Sequence, residues 1–143
     1  MKKLLKLTAL FLLVITASTS CNKNDDDNQV QASIIGKWNY TSAGEVVNGQ
    51  EVLSAYDHSA GCNKDNFEFK ADGTGIQTEY NSSCVPNTYL STYTKVGDIL
   101  TQTESGETFT STILQLDETT LKIRYTESIG NTTITSLLIL TRI

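Results

Sequence analysis

Two of the three cysteines and the single histidine are the side chains of this chain best suited to covalent or metal chemistry. Cys62 and Cys84 would form a disulfide in an oxidising compartment or contribute thiolates to a metal site. A metal site needs more ligands than these, because His58 is the only histidine and the sequence has no Cys-x-x-Cys pair. The pattern favours a disulfide and predicts neither a metal nor a cofactor. His58 has polar neighbours and is interpreted as a loop residue rather than a ligand or a base.

No other set of residues has a spacing typical of catalysis. A serine nucleophile would depend on His58 as its base, and no Gly-x-Ser-x-Gly motif is present. The carboxylates of Asp117 and Glu118 lie at a predicted turn, where acidic residues are commonly solvated. Residues 72–75, Asp-Gly-Thr-Gly, lack the lysine and helix that follow a phosphate-binding loop. The chain is therefore predicted not to be an enzyme.

The first 20 residues have the pattern of a secretory leader. A basic start precedes a short apolar run at 7–15, and small polar residues lead to Cys21. A membrane-spanning helix needs about 20 predominantly apolar residues, so residues 1–20 are predicted to be a cleaved signal peptide. Residues 18–21, Ser-Thr-Ser-Cys, are similar to the bacterial lipobox, with Ser18 where leucine is usual. The likeness implies that Cys21 is lipidated; an ordinary signal peptide that leaves a thiol is the alternative.

Residues 21–33 are predicted to form a flexible acidic tether. Asn22 to Asn28 contain three consecutive aspartates and too few apolar side chains to bury anything. The acidic run is similar to the sorting signal of Bacteroidota lipoproteins that are exported to the cell surface. This likeness implies a lipoprotein of the outer membrane that faces outward, and a solvated spacer without a sorting role is the alternative.

The charge balance argues against nucleic acid as a partner. Lys2, Lys3 and Lys6 would leave with the leader, so 11 minus 3 leaves 8 basic residues against 16 acidic residues, a net charge of −8. Binding to phosphates needs a basic patch, whereas the remaining basic residues are scattered singly. An anionic membrane surface would also repel the domain, so the lipid at Cys21 is the predicted membrane contact.

Turn residues at regular intervals predict a succession of hairpins over residues 34–143. The mature portion contains 18 threonines, which favour strands, and turn signals separate the alternating runs. A short helical turn is expected at residues 50–56. The predicted strands are 37–43, 45–47, 66–70, 75–80, 89–96, 99–104, 108–116, 121–127 and 132–142. Such a chain is expected to close into an antiparallel up-and-down barrel of about eight strands, because closure removes exposed edges.

The hairpin between the second and third cysteines gives the disulfide a geometric basis. Its Gly-rich turn is centred on Gly73, midway between Cys62 and Cys84. A turn at residues 72–74 would set Ala71 opposite Gly75 and bring the two cysteines together at the open end of the hairpin. Closure of this loop is expected to stabilise the fold by about 3 kcal/mol.

Two stretches of the chain resemble lipocalins. Gly36-Lys37-Trp38 matches the Gly-x-Trp element of that family, and residues 65–75 look like the second hairpin of lipocalin-like lipoproteins from Bacteroidota. The likeness covers residues 34–143 and implies a lipocalin-like domain. In lipocalins a basic residue late in the chain lies across the tryptophan. Arg142 is the first candidate for this closure of the barrel and Arg124 the second.

The barrel implies an interior that either holds a small ligand or is filled by side chains, and its size leaves both open. The predicted ligand-binding residues are the inward candidates Trp38, Tyr40, Phe67, Phe69, Ile76, Phe109, Ile123 and Tyr125. Four further inward candidates are Ile113, Leu121, Leu138 and Leu140. The strand at 137–140 is apolar on both faces, so its outer face should be covered by the tether, a loop or a partner.

Two functions follow from these patterns. The first is noncatalytic binding of a small hydrophobic or amphipathic ligand by a lipid-anchored protein of the cell envelope. The second is a structural or protein-interaction module of a surface lipoprotein complex, with a packed barrel and a protein partner on the apolar outer face.

Overall fold

Nine β-strands and the short turns between them make up most of the computed structural model, which describes residues 32–130 and 132–143. The predicted leader, Cys21 and the tether up to residue 31 lie outside the described residues. The strands are β1 (Gly36–Val47), β2 (Gln50–Ala55), β3 (Asn66–Phe69), β4 (Thr74–Tyr80), β5 (Pro86–Val96), β6 (Ile99–Glu104), β7 (Glu107–Leu116), β8 (Thr120–Ile129) and β9 (Thr132–Arg142).

Every strand pair in the sheet is antiparallel, and the sheet closes on itself. From β3 to β9 each strand pairs with the next one in sequence. β1 pairs with β3 along its first residues and with β9 on its other edge, with Trp38 opposite Arg142. The closed barrel therefore contains eight strands, β1 and β3 to β9, and the prediction of an antiparallel up-and-down barrel is confirmed.

The predicted helical turn at residues 50–56 is wrong, because this segment forms β2. Asn48 and Gly49 both have positive φ angles, 50° and 77°, which suit the two-residue turn of a β-hairpin. The turn returns the chain antiparallel to β1, where Val47 lies opposite Gln50. β1 is also a single strand and not the two strands predicted at 37–43 and 45–47, because Gly44 pairs with Leu53 and continues the strand.

The β1–β2 hairpin bends back over the outside of the barrel. Glu51 on β2 forms an ion pair with Lys122 on β8, with Oε2 and Nζ 2.6 Å apart, although β1 and β9 separate these strands in the sheet. Gly44 permits the bend, since a Cβ there would lie 1.9 Å from the carbonyl oxygen of Val52. Leu137, which pairs with Gly44, is 2% exposed. The chain's own hairpin thus covers the apolar outer face for which a tether, loop or partner was expected.

The β3–β4 turn is shifted by one residue from its predicted position. Phe69, not Ala71, lies opposite Gly75, and the amide of Lys70 donates to the carbonyl of Thr74. The turn therefore consists of residues 71–73. It forms here because the Asp72 side chain accepts a hydrogen bond from the Thr74 amide at 2.9 Å and Gly73 adopts a φ of 85°.

One end of the barrel, called the closed end below, contains the most deeply buried side chains. Trp38, Leu100, Leu121 and Leu140 are all less than 2% exposed, and burial of each leucine side chain stabilises the fold by about 1.5–3 kcal/mol. Residues 32–35 cross this end, where Ile34 joins the core and its carbonyl accepts a hydrogen bond from Trp38 Nε1 at 2.8 Å. The opposite end is called the mouth.

Candidate functional site

A cavity of about 320 Å³ lies inside the barrel above the buried layer. This volume is at the small end of the range for ligand sites, about 300–1,000 Å³. The lining residues come from β1, β3, β4, β6, β7, β8 and β9. They are Tyr40, Phe67, Phe69, Gln77, Gln102, Glu104, Phe109, Ser111, Leu121, Ile123, Tyr125, Glu127, Leu138 and Leu140. The sequence allowed either a packed interior or a cavity, and the structure contains a cavity.

The floor of the cavity is aromatic and aliphatic. The rings of Phe67 and Phe69 have centroids 4.4 Å apart, and Leu121 and Leu140 complete the floor. Gly75 on β4 makes room for this arrangement, because a Cβ there would lie 2.5 Å from Phe67 Cζ. The floor can therefore accept an apolar group.

Tyr40 places a phenol in the cavity wall. Its ring stacks on that of Tyr56 at a centroid distance of 4.9 Å. Burial raises the pKa of Tyr40 far above its ordinary value, and nearby Tyr56, Glu79 and Asp65 raise that pKa further. The phenol is consequently a neutral hydrogen-bonding group at physiological pH.

A network around His58 attaches the loop between β2 and β3 to the barrel wall. His58 Nδ1 accepts a hydrogen bond from the Asp65 amide at 3.0 Å, so Nε2 carries the proton and donates to the Tyr40 carbonyl at 2.8 Å. The Asp65 carboxylate in turn accepts from the Tyr80 amide at 2.7 Å. His58 thus lies in the loop, as the sequence indicates, and fixes that loop beside Tyr40.

The predicted disulfide between Cys62 and Cys84 is confirmed. It joins the same loop to the turn between β4 and β5, with Cα atoms 5.0 Å apart. Cys84 has a positive φ of 60°, and its amide donates to the Asn81 carbonyl at 2.8 Å. This tight turn brings Cys84 to Cys62 despite the shifted register of the hairpin.

Arg142 closes the barrel at the position that the resemblance implied. Its guanidinium carbon lies 4.0 Å from the centroid of the Trp38 ring. The same side chain donates hydrogen bonds to the carbonyls of Glu118 at 2.9 Å, Ile35 at 2.8 Å and Ser33. Gly36 is needed beside it, because a Cβ there would lie 2.6 Å from Arg142 Nη1. Arg124, the second candidate, is exposed on β8 and does not contact Trp38.

The match to a family model decides what kind of barrel this is. The model of the lipocalin-like domain matches residues 34–123. The chain belongs to the lipocalin-like domain family. No match is found among curated proteins.

Solved structures show the same fold as this lipocalin-like chain. A lipocalin-like protein from Bacteroides uniformis has a TM-score of 0.57 at 12% identity, over 76% of this chain and 97% of its own. An uncharacterized protein from Bacteroides eggerthii has a TM-score of 0.56 at 11% identity, over 78% of this chain and 100% of its own. Lobster apocrustacyanin A1 has a TM-score of 0.53 at 12% identity, over 76% of this chain and 60% of its own. The fold is one that typically binds ligands without catalysis.

The structure places six of the eight predicted ligand-binding residues in the lining of this lipocalin-like barrel. They are Tyr40, Phe67, Phe69, Phe109, Ile123 and Tyr125. Trp38 is 0% exposed and belongs to the buried layer of the closed end, where it is a closure residue. The prediction for Ile76 is wrong: Gln77 faces the cavity, so its neighbour Ile76 lies on the outer face, paired with Glu68 and Leu90.

The polar side chains of the lining were not among the residues predicted from the sequence. Gln77, Gln102, Glu104, Ser111 and Glu127 all face the cavity. Ser111 and Glu127 lie two residues from the predicted inward residues Phe109 and Tyr125 on the same strands, so alternation along the strand could have found these two. These polar residues were not predicted to face inward, because apolar side chains are the ones expected inside a barrel.

Two further properties concern only the part of the chain that the structure describes. No group of three or more His, Cys, Asp or Glu side chains there could hold a metal ion. No helix there is both long enough and apolar enough to cross a membrane.

Proposed function

We propose that this protein is a noncatalytic, lipid-anchored protein of the bacterial cell envelope that binds a small hydrophobic or amphipathic molecule inside its barrel. The observation that carries the proposal is the cavity of about 320 Å³ with its aromatic and aliphatic floor. Burial of the apolar surface of a ligand there is favourable by about 25 cal/mol for each Å² removed from water. Because the walls are strands of a closed barrel, much of the site is already formed before binding.

Displacement of a dye tests the ligand-binding part. An environment-sensitive apolar dye is expected to gain fluorescence with the purified protein and to lose it when octanol is added. Ser111→Phe fills the cavity from β7, where Ser111 is one of the lining residues. Thr110→Phe is the matched control, because Thr110 is exposed on the opposite face of the same strand. We expect dye binding to be lost in the first variant only.

The outcome depends on both variants being folded, which near-ultraviolet circular dichroism reports. If Ser111→Phe is unfolded, Leu138→Phe fills the same cavity from β9 and replaces it. Equal dye binding by a folded cavity-filled variant and by Thr110→Phe would contradict the proposal, since the dye would then bind outside the barrel.

The lipid anchor is a separate part of the proposal. Its support is the leader pattern and the lipobox-like residues 18–21. Residues 32–35 cross the closed end of the barrel, so a lipid at Cys21 would join the chain at the end opposite the mouth. A tether attached at this end leaves the mouth open to the surrounding medium, from which the ligand would enter.

Detergent phase separation tests the anchor with the full chain produced in a Gram-negative host. The wild-type protein is expected to enter the detergent phase and to carry the mass of a lipid, and Cys21→Ser is expected to remain in the aqueous phase. A wild-type protein without added mass that remains in the aqueous phase would contradict lipidation. Protease digestion of intact cells then distinguishes an outward-facing outer-membrane location from an inward-facing one.

The alternative function, a packed interaction module of a surface complex, was based on the apolar outer face at residues 137–140. The structure covers Leu137 with the β1–β2 hairpin and contains a cavity instead of a packed interior. No observation among the described residues favours that alternative over ligand binding.

A further inference from the structure

The inward-facing side chains of two barrel strands change from apolar to acidic between the closed end and the mouth. On β6 the inward series is Leu100, Gln102 and Glu104, and on β8 it is Leu121, Ile123, Tyr125 and Glu127. The first member of each series is fully buried, and the last lies at the mouth. The cavity is thus apolar at its floor and anionic at its rim.

The carboxylates at the rim are not neutralised by neighbouring cations. The lining contains Glu104 and Glu127 but no lysine, arginine or histidine. Neither carboxylate forms an ion pair with any residue in 32–130 or 132–143. A ligand that enters the cavity therefore meets two negative charges whose field is not offset by a positive group in the lining.

Nearby carboxylates also affect the pKa of Tyr40 in the wall of the cavity. Burial is the largest cause of the raised pKa of the Tyr40 phenol, and Tyr56, Glu79, Asp65 and finally Glu104 raise it further. An anion inside the barrel is disfavoured by these carboxylates, and a cation is favoured by them.

We propose that the barrel prefers cationic amphiphiles, with an apolar chain on the Phe67 and Phe69 floor and an ammonium group between Glu104 and Glu127 at the mouth. This inference rests on the proposed ligand-binding function and adds the charge class of the ligand. Amines with a short alkyl chain belong to this class, whereas fatty acids present the opposite charge to the rim.

The size of the cavity determines which small molecules are suitable as probes. A volume of about 320 Å³ corresponds to about ten water molecules in the liquid, hence to a ligand of about ten non-hydrogen atoms. Octylammonium, octanol and nonanoate have about this size and the same eight-carbon alkyl chain, and they differ in the charge of the head group. Their affinities at neutral pH can be measured by calorimetry or by displacement of the dye from the purified protein.

The expected order of affinity is octylammonium, octanol, nonanoate, with about tenfold between the first and the last at low salt and a smaller ratio at high salt. Glu104→Gln combined with Glu127→Gln should remove the affinity difference between octylammonium and nonanoate, with a larger change for these two charged probes than for octanol. Glu68→Gln combined with Glu118→Gln removes the same charge away from the lining and should preserve the order.

The outcomes separate the two proposals. If octanol binding is lost in the cavity-filled variant but nonanoate binds as tightly as octylammonium, the charge preference is overturned and the binding function is kept. A preference for octylammonium that survives in the Glu104→Gln, Glu127→Gln variant would also overturn the assignment to these carboxylates. Binding of none of the three probes would overturn both proposals.

Discussion

Replacement of Arg142 by methionine should lower the free energy of unfolding by about 3 kcal/mol. The guanidinium group lies over Trp38 at 4.0 Å, and a partly exposed cation–π contact contributes about 1 kcal/mol. Three hydrogen bonds to backbone carbonyls add about 0.7 kcal/mol each when they are counted near the low end of the usual range, because their surroundings are exposed. Methionine keeps an apolar chain over the indole, so the variant removes mainly the charge and the donors.

Urea unfolding followed by fluorescence measures this loss, because Trp38 is the only tryptophan. A loss of about 3 kcal/mol lowers the melting temperature by about 12 °C for a domain of this size. Arg142→Lys keeps the charge but not the planar group of donors, so about half of the loss is expected. Arg124→Met, at an exposed site on β8, is the control and should stay within about 0.5 kcal/mol of the wild type. Equal stability of the Arg142→Met and Arg124→Met proteins would refute the closure argument.

Four other predictions concern single groups. Replacement of Cys62 and Cys84 by serine should lower stability by about 3 kcal/mol in equilibrium unfolding, and an unchanged midpoint under reducing conditions would contradict this. The pKa of Asp117 is lowered to about 2, first by the Gln115 side chain and then by backbone amides of the β7–β8 turn. Its contribution to stability is therefore present above the ordinary pKa and lost as the pH falls toward 2, and Asp117→Asn should flatten the melting temperature between pH 4 and 2. His58→Ala should increase proteolysis of the loop between β2 and β3, because both hydrogen bonds of the ring are lost, and unchanged cleavage would count against that role. The raised pKa of Tyr40 means that stability falls as the pH rises above about 10, the ordinary value of a phenol. The last step of an ultraviolet titration should be absent from Tyr40→Phe.

The strand order and the disulfide could be predicted from sequence because both depend on local signals. Five of the hairpin turns carry a glycine or an asparagine with a positive φ angle, as at Asn48, Gly49 and Gly73, and alternating runs lie on either side. Up-and-down order then follows from hairpins alone. The cysteine pair follows from its position at the end of one hairpin. An error of one residue in the turn did not matter, since the loop before β5 adjusts to bring Cys84 to Cys62.

The strand β2 was not predicted, although Asn48 and Gly49 are a local hairpin signal. All six of its residues are exposed, so no apolar pattern marks it as a strand. Its place over the barrel depends on the bend at Gly44 and on the ion pair from Glu51 to Lys122. A local pattern contains neither of these contacts.

The composition of the cavity was predicted in part, and the errors have one cause. Aromatic residues such as Phe67 and Phe109 were assigned inward because apolar side chains are expected in a core. On β4 the inward positions are instead Gly75 and Gln77, with Ile76 outside. A packed core would exclude glutamine from that position, but a cavity with an open mouth leaves it solvated. The rule of apolar interiors therefore holds at the closed end and fails toward the mouth.

The side chains that stabilise the barrel and the charged side chains of its rim therefore lie at opposite ends. At the closed end Trp38, Leu121 and Leu140 are buried and Arg142 is tied to three carbonyls, so substitutions there should reduce stability by several kcal/mol. At the mouth Glu104 and Glu127 have neither an ion pair nor a side-chain hydrogen bond to another described residue. Their replacement should therefore change the stability of the fold little while it changes the charge at the mouth. Under the proposed function, substitutions at the rim alone should change ligand preference, because the contacts that close the barrel lie at the opposite end.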